Sequence, residues 1–103
     1  MTTINGAYSL DANGWVSETL ELTGNAILEV LLPGKGRVVI KKSETRDGPW
    51  PKCLITKWAG PLFRFRLLHG RDKQPSSENP GGHNRFVKII TTETPIRIQY
   101  ANI

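Results

Sequence analysis

Residue types able to do chemistry are few in this sequence and far apart. His69 and His83 bracket a polar stretch that also holds Asp72 and Glu78. Two imidazoles and two carboxylates could ligate a divalent cation, but tetrahedral sites draw on short, fixed spacings, and these four would need a loop folded on itself. The spacing predicts no metal site, and the histidines read as solvated residues. Cys53 is the sole cysteine, so an internal disulfide is excluded. Beside a histidine it could act as a nucleophile; however, it alternates with Ile55 in the run KCLITKW and reads as a small sheet or core residue, as free cysteines usually are. The glycines of PGKGR and NPGGHN lack the strand-loop-helix frame and the Lys-Ser/Thr ending of a phosphate loop, and PGKGR reads as a hairpin turn. No catalytic residue, metal or cofactor is expected.

Binding chemistry has more candidates. Fourteen Lys and Arg against nine Asp and Glu leave a net charge of +5, which favours anionic partners such as nucleic acid or an acidic protein surface. Arg64-Phe65-Arg66 interleaves bases with an aromatic ring, as single-strand-binding sheets do. Strand alternation would nevertheless put Phe63 and Phe65 on one face and Arg64 and Arg66 on the other, so nucleic acid is disfavoured here and the arginines read as an outward row, either solvated or facing an interface. Trp15, Trp50 and Trp58 raise a carbohydrate-binding alternative, because flat indoles stack on sugar rings, with 68–84 as a rim. That alternative requires at least two exposed indoles. Buried or capping indoles at the ends of a sandwich explain the same three residues without a ligand.

Trp50 is the best-placed of the three for recognition. It follows the turn signal Asp47-Gly48 and sits between Pro49 and Pro51, whose rings hold φ near −65° and keep the segment extended. The indole is pre-organised, either folded back over the sandwich end or serving as an anchor for a neighbouring subunit.

The elements that must position these residues are strands. Apolar and polar residues alternate at spacing two between Gly, Pro, Asn and Asp breakers. Strands are expected at Gly14 to Leu22, Ala26 to Leu32, Arg37 to Ser43, Lys52 to Trp58, Leu62 to His69, Phe86 to Thr92 and Ile96 to Ala101, with a shorter one at Ala7 to Leu10. In the first of these, Val16, Leu20 and Leu22 should share a face. Gly24-Asn25 falls where a hairpin turn would divide two strands. Seven or eight short strands in 103 residues predict one all-β domain, 1–103, an antiparallel β-sandwich of jelly-roll or immunoglobulin-like type. A chain of this size buries roughly 60–68% of its unfolded surface, enough for a core without disulfide staples. The segment 68–84 is rich in Gly, Pro, Ser and charge and should form a long exposed loop. The N-terminal MTTINGAYSL has no basic start followed by an apolar block, and no later run is long enough to span a bilayer, so neither an export address nor a membrane association is expected.

One further pattern suggests a family. The order GN-x-x-L-x-V-x-L-P-x-K-G-R-V-V-I-K-K-S-E-T-x-D-G-P-W-P-K, followed downstream by T-x-E-T-P-x-x-I-x-Y-x-N-I, resembles small β-sandwich virion proteins of tailed bacteriophages, among them those of crAss-like phages of gut Bacteroidales. The likeness spans Gly24 to Lys57 and Phe86 to Ile103, roughly half of the chain, and Asp47, Gly48, Trp50 and Thr94-Pro95 match its recurring turns. The resemblance implies a non-enzymatic capsid auxiliary, decoration or head-fibre component, made in the host cytoplasm and carried on the capsid surface. It also implies a homo-oligomer, with a trimer favoured, bound to the major capsid protein or another virion protein. No binding residue is transferred by it. The residues themselves place the contacts at Trp50, Arg64, Arg66, Tyr100 and Ile103, with Asp47, Gly48, Pro49 and Pro51 as the motif turn. Ile103 enters because Ile96, Ile98 and Tyr100 alternate with Arg97 and Gln99 up to an apolar terminus.

Overall fold

In a computed structural model of the chain, residues 2–9, 14–43, 45–50, 52–67 and 85–102 are described, with the backbone alone for 52–55. These residues form ten strands and no helix: β1 (Thr2–Thr3), β2 (Gly6–Ser9), β3 (Gly14–Ser17), β4 (Leu20–Glu21), β5 (Ala26–Leu31), β6 (Gly36–Ser43), β7 (Lys52–Ala59), β8 (Leu62–Leu67), β9 (Phe86–Thr91) and β10 (Arg97–Asn102). The strands build two sheets. Sheet A has the order β1-β10-β5-β8; sheet B has the order β2-β3-β9-β6-β7, with β4 also paired to β9. All pairings are antiparallel. The expected all-β sandwich is the fold.

The pairings show how the chain is wound. β6 pairs with β7, β5 with β8, β3 and β4 with β9, and β1 with β10. Those are the rungs of one long hairpin whose tip lies between β6 and β7. Rolling that hairpin adds the pairs β10·β5 and β6·β9 and sends successive rungs to alternate sheets. This winding is a jelly roll, with β2 as an extra edge strand on sheet B. Its consequence corrects two sequence expectations. Neither Gly24-Asn25 nor PGKGR is a hairpin turn, because each links sheet A to sheet B, and a turn signal marks a change of direction without saying which sheet receives the next strand.

The two sheets close over a core that includes Trp15, Leu28, Val30, Leu32, Val38, Ile40, Phe63, Phe65, Leu67, Val87, Ile89 and Ile98. Phe63 and Phe65 lie near parallel, with centroids 6.0 Å apart. On β8 the burial strictly alternates, so both phenylalanines face inward and Arg64 and Arg66 face solvent, as the period-two pattern predicts.

The strand expected over Gly14 to Leu22 is broken. Trp15 and Ser17 are buried before the break, and Leu20 and Leu22 after it, so the inward phase shifts by one residue and Val16 stays on the outer face. Ser17 bridges the gap: its Oγ accepts the buried Ile89 N–H at 2.9 Å and donates to the Glu18 carbonyl at 2.8 Å. Asn5 and Glu18 close the other side, since Glu18 N–H donates to Asn5 O at 2.7 Å and Asn5 N–H donates to Glu18 Oε1 at 3.3 Å. A similar irregularity interrupts β7, where Ile40 pairs with Ile55 and Lys41 with Cys53, leaving Leu54 as an additional residue. The regular Cys53/Ile55 alternation expected from sequence is therefore lost in the ladder.

Candidate functional site

The tip of the rolled hairpin is the turn that the sequence singled out. Thr45 N–H donates to Ser43 Oγ at 3.1 Å, Gly48 N–H donates to Thr45 O at 3.2 Å, and the Thr45 hydroxyl donates back to the Gly48 carbonyl. Gly48 has φ of +88°, in the region that a side chain disfavours, and a Cβ there would lie 2.8 Å from Trp50 Cδ1. Trp50 is thus folded against its own turn. It does not cap the end of the sandwich, as one sequence reading had it. Its half-buried ring lies over the outer face of sheet B, with Lys88 Nζ 4.6 Å from the ring centroid. Arg46, from the same turn, sits 5.1 Å over the Phe86 ring and bonds Glu21 at 2.9 Å. These contacts pin the tip across β9 and β4.

Register then fixes what else shares that face. Directly opposed residues in antiparallel strands project to the same side. On the outer side of sheet B run the row Ala7, Val16, Ile90, Val39 and Thr56, the pair Lys41 and Lys88, the pair Ser43 and Phe86, and the pair Arg37 and Trp58. Trp58 is 62% exposed, whereas Trp15 is buried in the core. One indole of the three is therefore largely exposed, one is half-buried and one is internal, short of the two exposed rings that a sugar platform needs. The adjacent Lys41 and Lys42 part company: Lys41 faces outward, while Lys42 is buried and has a bonding partner.

The outer face of sheet A has a different chemistry. Its rows are Arg97, Leu31 and Leu62; then Thr3, Gln99, Glu29 and Arg64; then Ala101, Ile27 and Arg66. Leu62 is 56% exposed and Ile96, next to Arg97, 64%. Arg64 bonds Glu29 at 2.7 Å, and Arg66 has no ion-pair partner among the described residues. A groove of about 440 Å³ is lined by Ile27, Arg64, Phe65 and Arg66. The far edge of β8 carries no strand partner among the described residues. It is ill suited to pairing with a copy of itself: every face-matched antiparallel register that overlaps most of Leu62–Leu67 sets an arginine opposite an arginine, which is unfavourable.

The sequence-nominated residues do not converge. Arg64 and Arg66 lie together outside sheet A, while Trp50 and the turn of Asp47, Gly48 and Pro49 lie on sheet B. Tyr100, expected at a contact, is on the inner side of β10, half-buried against the core. Its register partner Leu28 is fully buried, which is why the ring is drawn inward. Pro51, Ile103 and the segment 68–84 expected to form a loop, with both histidines, lie outside the described residues. Sequence reasoning missed Trp58, Lys41, Lys88 and Phe86 as neighbours, since they come from three strands and only cross-strand register brings them together. Among the described residues no three of His, Cys, Asp and Glu group as metal ligands, and no helix is long and apolar enough to cross a membrane. Comparisons with protein-family models, curated proteins and solved structures return no match.

Proposed function

We propose that this protein is a non-enzymatic structural component of a bacteriophage particle, a capsid auxiliary, decoration or head-fibre protein. It works by self-assembly and by contact with a larger virion protein. The observation that carries this reading is the outer face of sheet A, where the exposed Leu62 and the half-buried Leu31 and Ile27 stand among Arg64, Arg66 and Arg97, with the exposed Ile96 just before Arg97 in the chain. Exposed aliphatic side chains interleaved with arginine and free of lysine have the composition of a protein contact, arginine being enriched and lysine depleted at interfaces. The jelly-roll winding supports it as an analogy only, because viral capsid domains share that architecture with lectins and cupins. A closed homo-oligomer, a trimer by the sequence resemblance, would meet through this face and leave Arg66 and Arg97 for an acidic patch on the capsid protein.

Light scattering coupled to size exclusion, across concentration and salt, tests the proposal. A stable closed oligomer is expected, together with its conversion by Leu62→Asp to a monomer that keeps the parent's circular dichroism spectrum and unfolds cooperatively, at a melting temperature lowered by the loss of association. A protein that stays monomeric throughout, or an oligomer indifferent to Leu62→Asp, overturns the assignment of this face.

A further inference from the structure

Binding of a single-stranded nucleic acid requires rings for stacking and cations for phosphate on one face. β8 fails that requirement, since its phenylalanines and arginines point in opposite directions. The outer face of sheet B meets it. Trp58, Trp50 and Phe86 lie there with Arg37, Lys41, Lys88 and Arg46. From the Arg37/Trp58 pair to the Ser43/Phe86 pair is six residues along β6, or about 20 Å at the rise of a strand. That length accommodates a short run of nucleotides.

Charge favours an anionic occupant over a neutral one. Lys41 and Lys88 are directly opposed across β6 and β9, with Cβ atoms about 5 Å apart, a like-charge arrangement that costs stability unless an anion lies between the ammonium groups. Among the described strand residues, register places one carboxylate on this face, Glu21, which Arg46 already holds at 2.9 Å, and Asp47 stands exposed in the adjoining turn. Arg37 and Lys41 have no ion-pair partner among the described residues. Two of the three rings already lie beneath cations, Trp50 under Lys88 and Phe86 under Arg46. Trp58 has no such cover among the described residues, and its ring is open for stacking.

We propose that the outer face of sheet B binds single-stranded nucleic acid, with Trp58 stacking on a base while Arg37, Lys41 and Lys88 hold the adjoining phosphates. A single strand is specified because a ring can stack only on a base that is free of its neighbour, which a duplex does not offer. The face lies on the opposite side of the sandwich from the proposed protein contacts, so the two assignments stand or fall separately.

The probe is a fluorescein-labelled oligothymidylate, followed by anisotropy with the intact protein from low to physiological salt. Three phosphate contacts predict a log-log salt slope of about −2, reduced by about 0.7 in Lys41→Gln. Trp58→Ala should weaken binding about 5- to 150-fold with the slope unchanged. The double variant Arg64→Gln/Arg66→Gln, which removes two charges from sheet A against the one lost in Lys41→Gln, should bind as the parent does. Since Trp58 is largely exposed, its replacement should not alter folding, and a matching melting curve checks that. Absence of binding at low salt overturns the proposal. So does binding that falls equally in the Arg64/Arg66 variant while ignoring Trp58→Ala, or equally tight binding of heparin or duplex that is independent of Trp58. Those outcomes would reduce the face to a general cationic surface.

Discussion

Ser17→Ala tests the repair at the break between β3 and β4. In the native chain Ser17 Oγ is the acceptor for the Ile89 N–H at 2.9 Å, and Ile89 is fully buried on the central strand β9. Removing the hydroxyl leaves that donor in the core with no acceptor, and water cannot replace a partner lost inside a packed sandwich. An unsatisfied buried donor costs about 1–3 kcal/mol, more than the net worth of an average hydrogen bond, because the desolvation penalty is no longer offset. At a middle value of about 2 kcal/mol, with about 4–8 °C per kcal/mol for a domain of this size, the melting temperature should fall by roughly 8–16 °C. Thermal unfolding followed by circular dichroism measures this, and amide exchange locates it, since the Ile89 amide should lose protection ahead of its neighbours. Ser9→Ala, at the edge strand β2, is the control and should stay within about 0.5 kcal/mol of the parent. A Ser17→Ala protein melting within a degree or two of the parent, with its Ile89 amide as protected as before, would refute the reasoning.

Two further substitutions probe the turn and the sheet A face. Gly48→Ala places a side chain at φ of +88° and a Cβ 2.8 Å from Trp50 Cδ1; it should destabilise by about 1–2 kcal/mol and shift the indole emission. Gly24→Ala, whose Cβ would meet nothing within 4 Å, should shift neither, and an unchanged Gly48→Ala spectrum would show that Trp50 does not rest on its turn. Glu29→Gln removes the partner of Arg64, a pair whose arginine side chain is 69% exposed. Its loss should cost less than about 1 kcal/mol in chemical denaturation, as surface pairs do, and a larger loss would mean that the pair is shielded from water.

Much of the architecture was legible because period-two alternation is a local property. Leu62 to Leu67 alternates without a fault and its strand behaves as read. Arg37 to Ser43 and Lys52 to Trp58 pair as the turn signal between them required. β1 was not legible, since Thr2 and Thr3 carry no apolar alternation and become a strand only by lying beside Gln99 and Tyr100. Val16 was misassigned to the face of Leu20 and Leu22, for no residue type announces the interruption that Ser17 bridges. Of the candidate contacts, Arg64 and Arg66 were read correctly as an outward row, and Tyr100 went inward because the row it joins ends on the buried Leu28 and Phe65.

The sequence by itself determined that the chain is all-β, where most strands lie, and that one hairpin turns at Asp47-Gly48, since propensity, alternation and turn chemistry act over a few residues. The tertiary structure alone decided which sheet receives each strand and which side chains share a face. Those depend on pairing between segments as far apart as Thr2 and Tyr100 and on register, where a single additional residue inverts the face of every side chain that follows. That is why the gathering of Trp58, Lys41, Lys88 and Trp50 on one surface is written nowhere along the chain and exists only once the hairpin has been rolled.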